Sequence, residues 1–355
     1  MPPVQPPTLR DVAAAAGVPA ATASRALNPA TRGLVNAETA RRVIKVAESL
    51  GYRANPIARG LKTSKSQTVG IVIPDLTNPL FPPIIRGIED VLEPAGYSVL
   101  IVSTDNEAGR ELAQIESLRS RQVDGLIVAT ALLEHPLLEK LASQQVKMVL
   151  VNRRAEGLGV SSVTPDDSAG VRIAVEHLAA AGHRRIVHLA GPQTTSTGVL
   201  RASAFRSAVR DLGLDNDPGL VVTGDYWTEL DGARMLRRLL DDGTEFTGIV
   251  AGNDLIALGC YDVFAERGLR CPEDVSVVGF NDMPFLDKLA PPLTTVYVPQ
   301  FQIGVEAARM LLEAIEEPDR QARSVLLPVS LTVRGSTTAP PRGRALTRAR
   351  AAHPS

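Results

Sequence analysis

The feature that most constrains the fold is a change of pattern at Thr68, after which short β-rich apolar runs alternate with helix-length stretches. This βαβ alternation is typical of parallel sheets, whose strands need crossover connections that are usually helices. The runs are numerous enough for two such units, so we predict an α/β core of two Rossmann-like lobes. The predicted strands are residues 69–73, 98–103, 125–129, 147–151, 185–189, 248–251 and 275–279.

Several kinds of site have no signature in the sequence. No Gly-x-Gly-x-x-Gly follows a predicted strand and no Walker Gly-Lys-Ser/Thr occurs, so nucleotide phosphate binding is not indicated. Cys260 and Cys271 are the only cysteines, too few and too isolated for a disulfide framework or a thiolate metal site. No apolar run approaches the roughly 18 residues of a membrane span. We therefore expect no cofactor, no metal site and no membrane partner.

Clusters of acids and histidines are present, but they lack the companions that catalysis requires. Neither a serine or cysteine nucleophile motif nor the His-x-x-x-His spacing of a metal site accompanies them. We predict no catalytic residues, and we expect the histidines to cap or pack helices. The clusters are Asp166-Asp167, Asn281-Asp282 and the histidines His177, His183 and His188.

The net charge of −1 conceals a polarised chain. Residues 1–67 contain ten basic and three acidic side chains, a net charge of +7, and the residues after Ser336 add four arginines and no acid. The middle of the chain therefore carries −12. Because lysine and arginine neutralise phosphates and release counterions, a basic end on an acidic body indicates a polyanionic partner at that end. A solvated basic surface without a partner is the alternative.

Three short helices are predicted before residue 51. Thr8 is the expected N-cap of the first, Gly17 ends it in a left-handed conformation, and Pro19 suits the first turn of the second. Asn36 caps the third, whose apolar residues recur at helical spacing. Two helices joined by such a tight turn form a helix-turn-helix, whose second helix enters the major groove of DNA. The predicted helices are residues 9–16, 20–27 and 37–50.

The run TLRDVAAAAGVPAATASRALN, residues 8–28, resembles the headpiece of the LacI/GalR repressor family in order, spacing and residue type. The resemblance implies DNA binding, and a helical bundle without that role is the alternative. Arg25 can read a guanine edge through O6 and N7, whereas the hydroxyls of Thr22 and Ser24 suit phosphate oxygens. The candidate DNA contacts here are Thr8, Pro19, Ala20, Ala21, Thr22, Ser24, Arg25 and Asn28.

Ala20 and Ala21 occupy positions where members of that family usually carry larger side chains that set operator preference. An alanine offers only apolar contact to a thymine methyl group. We therefore expect fewer hydrogen bonds to the outer half-site than relatives make, and more dependence on Arg25, phosphate contacts and DNA shape.

The segment NPIARGLK, residues 55–62, resembles the family's hinge. The resemblance implies a hinge helix that forms on DNA, with Leu61 wedged into a base step from the minor groove. Gly60 disfavours helix by about 1 kcal/mol relative to alanine, so we expect the hinge to be disordered without DNA. Packing of Leu61 in an ordinary linker is the alternative. Asn55, Leu61 and Lys62 complete the candidate DNA contacts.

Later segments resemble the periplasmic-binding-protein-like sensing core of the same family, which extends the resemblance over nearly all of residues 8–336. It implies two lobes built from discontinuous segments, because the chain crosses between them several times. The matching segments are 177–186, 190–192, 253–254, 278–280 and 291–295. The predicted organisation is a headpiece (1–54), a hinge (55–67), a core (68–336) and a disordered basic tail (337–355). Within the core, the N-lobe is 68–164 and 296–325, and the C-lobe is 165–295 and 326–336.

A ligand of such a core binds at the carboxyl ends of strands, in the cleft between the lobes. Phe81 and Trp227 could flank a sugar ring, while arginine and asparagine supply hydrogen bonds to its hydroxyls. Structural roles are the alternatives: Asn78 as a helix cap, Phe81 in the core, and Arg153 paired with an acid. By resemblance, the candidate effector contacts are Asn78, Phe81, Asn152, Arg153, Arg201, Trp227, Asn253 and Asn281.

Two positions depart from the pattern of sugar-binding relatives. Asn281, followed by Asp282, stands where the family commonly has aspartate, and Val298 stands where such relatives often have glutamine. An amide donates as well as accepts hydrogen bonds, so the polar shell is altered. A neutral sugar is the first expectation, and a less polar or phosphorylated molecule is the alternative.

These features together predict a sequence-specific DNA-binding transcriptional regulator, a repressor in the simplest case. We expect a homodimer formed through the core on a two-fold operator, with effector and DNA coupled by about 1–3 kcal/mol. The rival function is a solute-binding protein of a transport system, but the proline-rich residues 1–7 lack the features of a secretory signal. We expect the protein in the cytoplasm, associated with the nucleoid, and no tetramer formed through the tail.

Overall fold

The structure, a computed structural model, describes residues 7–28, 31–52, 65–317 and 319–341. It contains two compact units that divide after Gln67. The predicted DNA contacts Asn55, Leu61 and Lys62, together with most of the predicted hinge, lie outside the described residues. In the part of the chain that is described, no helix is long and apolar enough to cross a membrane.

The first unit consists of three helices, α1 (Leu9–Ala15), α2 (Ala20–Leu27) and α3 (Ala37–Leu50). Thr8 and Asp11 form a capping box at the start of α1, in which the Thr8 backbone N–H donates to the Asp11 carboxylate at 2.8 Å. Gly17 and Gly51 take left-handed conformations, with φ of +64° and +67°, after α1 and α3. These ends confirm the predicted helix boundaries to within one residue.

A small apolar core holds the three helices together. Its fully buried residues include Val12 from α1, Ala23 and Ala26 from α2, and Val43 from α3. The buried residues of α2 are alanines, whose small side chains allow close packing against the neighbouring helices. The opposite side of α2 is exposed. The side chain of Asn36 accepts a hydrogen bond from the Glu38 backbone N–H at 2.9 Å and caps α3 as predicted.

The first lobe of the second unit contains a six-stranded parallel sheet with the strand order β11-β5-β4-β3-β1-β2. Its helices cover both faces, as expected for a sheet of crossover connections. The strands are β1 (Thr68–Ile73), β2 (Ser98–Ser103), β3 (Gly125–Val128), β4 (Met148–Val151), β5 (Ser161–Pro165) and β11 (Ser324–Leu327). The helices are α4 (Phe81–Leu92), α5 (Ala108–Ser120), α6 (Pro136–Ser143) and α11 (Gln300–Glu316).

The second lobe contains a sheet of the order β12-β10-β9-β8-β6-β7, parallel except for the edge pair β10 and β12. That antiparallel pair is a departure from the predicted all-parallel arrangement. The strands are β6 (Ile186–Ala190), β7 (Val221–Thr223), β8 (Gly248–Ala251), β9 (Ser276–Asn281), β10 (Thr294–Tyr297) and β12 (Ser330–Thr332). The helices are α7 (Asp167–Ala180), α8 (Ser196–Asp211), α9 (Glu229–Asp241) and α10 (Asp254–Arg267).

The chain crosses between the lobes after β5, after β10 and after β11. The predicted lobe boundaries miss these crossings by one or two residues, because Pro165 and Leu327 still pair in the first sheet and Tyr297 still pairs in the second. A boundary inferred from motifs cannot locate the last residue that pairs in a strand.

Two helix pairs approach so closely that glycine is required on both sides. A Cβ atom added to Gly304 of α11 would lie 2.0 Å from the Ile84 carbonyl oxygen of α4, and one added to Gly87 would lie 2.1 Å from the Phe301 oxygen. In the second lobe, Gly232 of α9 and Gly259 of α10 make the same reciprocal contact. Each lobe therefore contains one helix pair in backbone contact.

The prediction that disorder begins at residue 337 is wrong for the first residues of the tail. The side chain of Thr337 lies 2.8 Å from His177 Nε2, and the Thr338 carbonyl oxygen lies 2.8 Å from His183 Nε2. The Ser276 hydroxyl also donates to that carbonyl at 3.2 Å. The two histidines thus hold Thr337 and Thr338 on the second lobe, a packing role that agrees with the expectation for them.

Candidate functional sites

The face of α2 that points away from the three-helix core carries the predicted base-reading residues. Ala20, Ala21 and Arg25 are exposed on it, while Thr22 and Ser24 are half-buried at its sides. Pro19 and Thr8 are exposed at the starts of α2 and α1, and half-buried Asn28 ends α2. All eight candidate residues of this unit are therefore at or near its surface.

The cations within residues 7–28 and 31–52 are free of acidic partners. None of these six lysine and arginine side chains forms an ion pair, and all six are exposed. Arg32 donates from Nε to the Ala26 carbonyl oxygen at 3.1 Å, which extends the end of α2. Unpaired surface cations are available to phosphates. They are Arg10, Arg25, Arg32, Arg41, Arg42 and Lys45.

In the second unit, a cleft of about 650 Å³ opens between the two lobes. Its wall includes residues that follow strands of both sheets, such as Pro74 directly after β1, Thr104 directly after β2 and Pro192 two residues after β6. This is the edge at which α/β sheets bind ligands. The size of the cleft falls within the usual range for small-molecule sites.

A smaller cavity of about 20 Å³ adjoins the cleft and is lined by all eight predicted effector contacts. Asn78, Arg153 and Trp227 line both spaces, so the cavity and the cleft form one continuous site. Sequence reasoning missed Leu80 and Thr197, which complete the lining of the cavity. The predicted residues are Asn78, Phe81, Asn152, Arg153, Arg201, Trp227, Asn253 and Asn281.

Arg201 is the most constrained side chain of the cavity. It is 3% exposed, donates from Nε to Asp167 at 2.7 Å, and donates from a terminal nitrogen to the Gly252 carbonyl oxygen at 2.5 Å. Its guanidinium lies 3.7 Å from the centroid of Phe280 and 5.4 Å from that of Trp227. Burial raises the pKa of Asp167, and the nearby Arg201 opposes that shift. Arg201 therefore braces the second-lobe wall as well as lining it.

Asn253 uses its side-chain oxygen to cap a helix, whereas Asn78 forms a turn before one. Asn253 accepts from the Ile256 N–H at 2.8 Å at the start of α10. Asn253 also donates to the Trp227 carbonyl oxygen at 3.2 Å, which fixes the loop that carries the indole. Asn78 accepts from the Leu80 N–H at 3.0 Å just before α4, whose N-cap is Leu80, so the structure does not support the alternative role of Asn78 as the helix cap.

The two aromatic side chains lie on different walls. Phe81, at the start of α4, is 2% exposed and belongs to the first-lobe core, so its alternative role as a core residue is realised. Trp227 is half-buried, and its ring packs so closely on Gly191 that a Cβ atom there would lie 2.3 Å from it. The glycine is what allows the indole to reach the cavity.

Asn152 and Asn281 are held in unusual backbone conformations, with φ of +63° and +123°. The turn at Asn281 is fixed by the buried carboxylate of Asp254, which accepts from the Met283 N–H at 3.0 Å and from the Thr295 hydroxyl at 2.5 Å. Burial raises the pKa of Asp254 to about 6. Strained non-glycine residues of this kind cluster at functional sites.

Four polar atoms of the cavity residues are buried without a hydrogen-bond partner among the described residues. They are the side-chain oxygens of Asn152 and Asn281, Nε of Arg153 and Nε1 of Trp227. Unpaired buried polar atoms are rare in proteins because each costs the free energy of its desolvation. Their convergence on one cavity marks a place where a polar ligand would supply the missing partners.

The first-lobe wall of the cleft contains a polar cluster that the sequence did not indicate. The carboxylate of Glu111 on α5 lies 3.2 Å from His135 Nε2 and also accepts from the Thr130 hydroxyl. The Leu132 N–H donates to His135 Nδ1 at 3.2 Å. Both Glu111 and His135 are buried, so this cluster fixes the cleft wall.

Residues 8–55 match the family described as bacterial regulatory proteins, lacI family, and residues 175–337 match the periplasmic binding protein-like domain. The Ribose operon repressor of Halalkalibacterium halodurans is 33% identical over 330 residues, which are 93% of this chain and 97% of that protein.

Solved structures show the same similarity. The lac repressor dimer bound to operator and the anti-inducer ONPF superposes with a TM-score of 0.84 and 28% identity, covering 94% of this chain and 100% of that one. A LacI family transcriptional regulator from Enterococcus faecium with bound ribose gives a TM-score of 0.67 and 30% identity, covering 77% of this chain and 99% of that one.

Proposed function

This chain belongs to the LacI family of bacterial regulatory proteins. We therefore propose that it is a transcriptional repressor whose affinity for operator DNA is controlled by a small molecule. The relative from Halalkalibacterium halodurans is named Ribose operon repressor, and the structure of the lac repressor was solved with operator bound. Like its relatives, the protein is a DNA-binding regulator and not an enzyme.

The observation that carries the DNA-binding role is the outer face of α2. It presents Arg25 without an acidic partner, and the other cations of residues 7–28 and 31–52 are equally free of ion pairs. Arg25 reads a guanine edge, the alanines contact thymine methyl groups, and the hydroxyls of Thr22 and Ser24 hold phosphates. Thr8, Pro19 and Asn28 complete the contacts of this unit, and Asn55, Leu61 and Lys62 serve the hinge.

The effector occupies the cavity and cleft of the second unit, and it is a sugar or a sugar derivative. A relative from Enterococcus faecium was solved with ribose, and the unpaired atoms of this cavity suit a ligand rich in hydroxyl groups. Because both lobes contribute to the wall, a ligand that bridges them changes their relative position. That change is coupled to DNA affinity, and the coupling is reciprocal.

The protein acts as a homodimer through its core, since a two-fold operator needs two reading helices at a fixed spacing. It works in the cytoplasm in association with nucleoid DNA. Solute binding for a transport system is the rival function. Transport does not require a DNA-binding unit such as residues 8–55, which match the lacI family.

Selection of bound duplexes from a random DNA library tests the proposal. We expect the full-length protein to enrich one sequence with two-fold symmetry, and the Arg25→Ala variant to lose that enrichment while it remains folded. Fluorescence anisotropy on the enriched duplex, with and without candidate sugars, then identifies the effector by a shift in affinity. If the wild-type protein enriches no sequence, the proposed function is wrong.

A further inference from the structure

The unpaired atoms of the cavity define the chemistry of the ligand more narrowly than its shape does. The oxygens of Asn152 and Asn281 need hydrogen-bond donors, which hydroxyl groups supply. Nε1 of Trp227 and Nε of Arg153 need acceptors. The missing partner therefore carries hydroxyl groups together with at least one strong acceptor.

Arg153 differs from Arg201 in that its guanidinium forms no hydrogen bond or ion pair with any described residue. Only 6% of the residue is exposed. Burial and the neighbouring Arg201 lower the pKa of Arg153 to about 10, although the charge of Glu111 opposes this shift, and Arg153 stays protonated near neutral pH. A buried charge without a partner is costly, and a ligand of opposite charge removes that cost.

The carboxylates of the cleft compensate for this charge only in part. Glu111 attracts Arg153 without an ion pair, because its carboxylate is bound to His135 and Thr130. Asp225 lies 2.9 Å from Arg234, and Asp75 accepts hydrogen bonds from Thr77. Among the described residues that line the smaller cavity there are two arginines and no acid, and amides, which carry no charge, occupy positions 152 and 281.

The helices add to the positive potential. Three of them begin at the smaller cavity: α4 at Phe81, α8 just before Thr197, and α10 directly after Asn253. The N-terminus of a helix carries a partial positive charge and unpaired N–H groups, so it favours anions. Together with the unpaired Arg153, the three termini make the cavity electropositive.

We propose that the effector is an anionic sugar derivative, a sugar phosphate or a sugar acid, whose charged group pairs with Arg153 while its hydroxyls donate to Asn152 and Asn281. This inference rests on the proposed function in so far as the cleft is the effector site. It goes further in that a neutral sugar can accept a hydrogen bond from Arg153 but brings no opposite charge, and therefore binds more weakly than an anionic one.

Thermal unfolding of the full-length protein in inorganic phosphate, against chloride of equal ionic strength, tests the charge requirement directly. We expect phosphate to raise the Tm of the wild type by about 2 °C or more and to leave Arg153→Met unchanged. The control Arg154→Gln removes the same charge from the adjacent, exposed residue and should respond like the wild type. A wild type that does not respond, or an Arg153→Met variant that responds equally, overturns the proposal.

The same variant gives a second readout without any ligand. If Arg153 is an uncompensated buried charge, replacing it with the apolar, similarly long methionine should raise the Tm in chloride. A lower Tm would mean that the protein itself stabilises the guanidinium, and it would overturn the proposal.

Three matched ligands distinguish a sugar phosphate from a sugar acid. They also distinguish a failure of this inference from a failure of the proposed function. Ribose, ribose 5-phosphate and ribonate are each titrated, and we expect at least one of the anions to bind ten-fold more tightly than ribose to the wild type but not to Arg153→Met. The stronger anion identifies the source of the charge. If ribose binds as tightly as both anions and shifts operator affinity, this inference fails while the proposed function stands. If an anion binds through Arg153 but no ligand alters DNA affinity, the proposed function fails while the anion site stands.

Discussion

Single residues decide what this protein can recognise, and Arg25 is the clearest case. It is the exposed, unpaired cation on the outer face of α2, next to two alanines that can offer only methyl groups. Under the proposed function, we expect most of the hydrogen-bonded base recognition by this helix to depend on one side chain.

We expect Arg25→Ala to lower the affinity for the selected operator by about 1–3 kcal/mol per half-site, because a bidentate contact to guanine is lost. Affinity for a random duplex should fall much less, since that binding depends on phosphates. Anisotropy titrations of both duplexes at one salt concentration measure the difference. Equal losses on both would show that Arg25 contacts only the backbone.

His188 makes the stability of the core depend on pH. It is fully buried on β6, with Nδ1 donating to the Val250 carbonyl oxygen at 2.8 Å, and burial lowers its pKa from 6.5 to about 4. Between these two pKa values, His188 binds a proton in the unfolded chain but stays neutral in the folded protein. The free energy of unfolding therefore falls as the pH drops from about 6.5 toward 4. From pH 7 to pH 5 the loss from this group is about 2 kcal/mol.

The variant His188→Phe removes this contribution while keeping a ring against Phe205, on which the imidazole stacks at 5.1 Å. We expect its free energy of unfolding in urea to change less between pH 7 and pH 5 than that of the wild type. An identical pH dependence would mean that His188 is protonated in the folded protein.

At the scale of helices and strands, backbone contact between helices is the most specific feature of the fold. Gly304→Ala should destabilise the core by about 1–3 kcal/mol or more, because the new methyl group overlaps the Ile84 carbonyl oxygen and α4 must move. Gly109→Ala on α5 is the matched control. It meets no atom within 4 Å and should be neutral or stabilising by roughly 0.5–1 kcal/mol. The free energy of unfolding of both variants, measured by urea denaturation, shows whether Gly304→Ala acts through steric overlap or through an effect common to any glycine replacement in a helix.

The sequence predicted strands that are apolar runs, whether they are buried or at an edge. β8, which is buried throughout, and β2, which is a partly exposed edge strand, both have the predicted bounds. β5 and β10 were not predicted although most of their residues are buried, since serine and threonine interrupt their apolar pattern. β7, β11 and β12 were not predicted either, since they are only three or four residues long and are partly exposed. The antiparallel pairing of β12 depends on the chain's return to the second lobe, which no local pattern encodes.

The candidate effector residues were predicted because strand ends and family motifs can be located along the sequence. Their partners could not be predicted in the same way. Asp167 meets Arg201, and Glu111 meets His135, only after elements distant in sequence have packed together. The absence of a partner for Arg153 is likewise a property of the folded cavity and not of any motif.

For the whole molecule, the separation of charge predicts how DNA binding responds to salt. Residues 1–67, with a net charge of +7, should release counterions on binding, with the logarithm of affinity falling by about 0.9 per phosphate neutralised for each unit of log salt. Lys140→Gln, which removes an exposed cation from the cleft of the second unit, should leave the slope unchanged. A slope near zero for the wild type would contradict phosphate-based binding.

The three crossings between the lobes also affect how the protein is made. The first lobe needs α11 and β11, which are synthesised only after nearly all of the second lobe has left the ribosome. Until then β5 remains an uncovered sheet edge and α4 lacks the helix that it contacts. A nascent chain can therefore display its DNA-reading helices long before it has a sensor, and a messenger broken near its 3′ end would yield a protein with neither lobe complete.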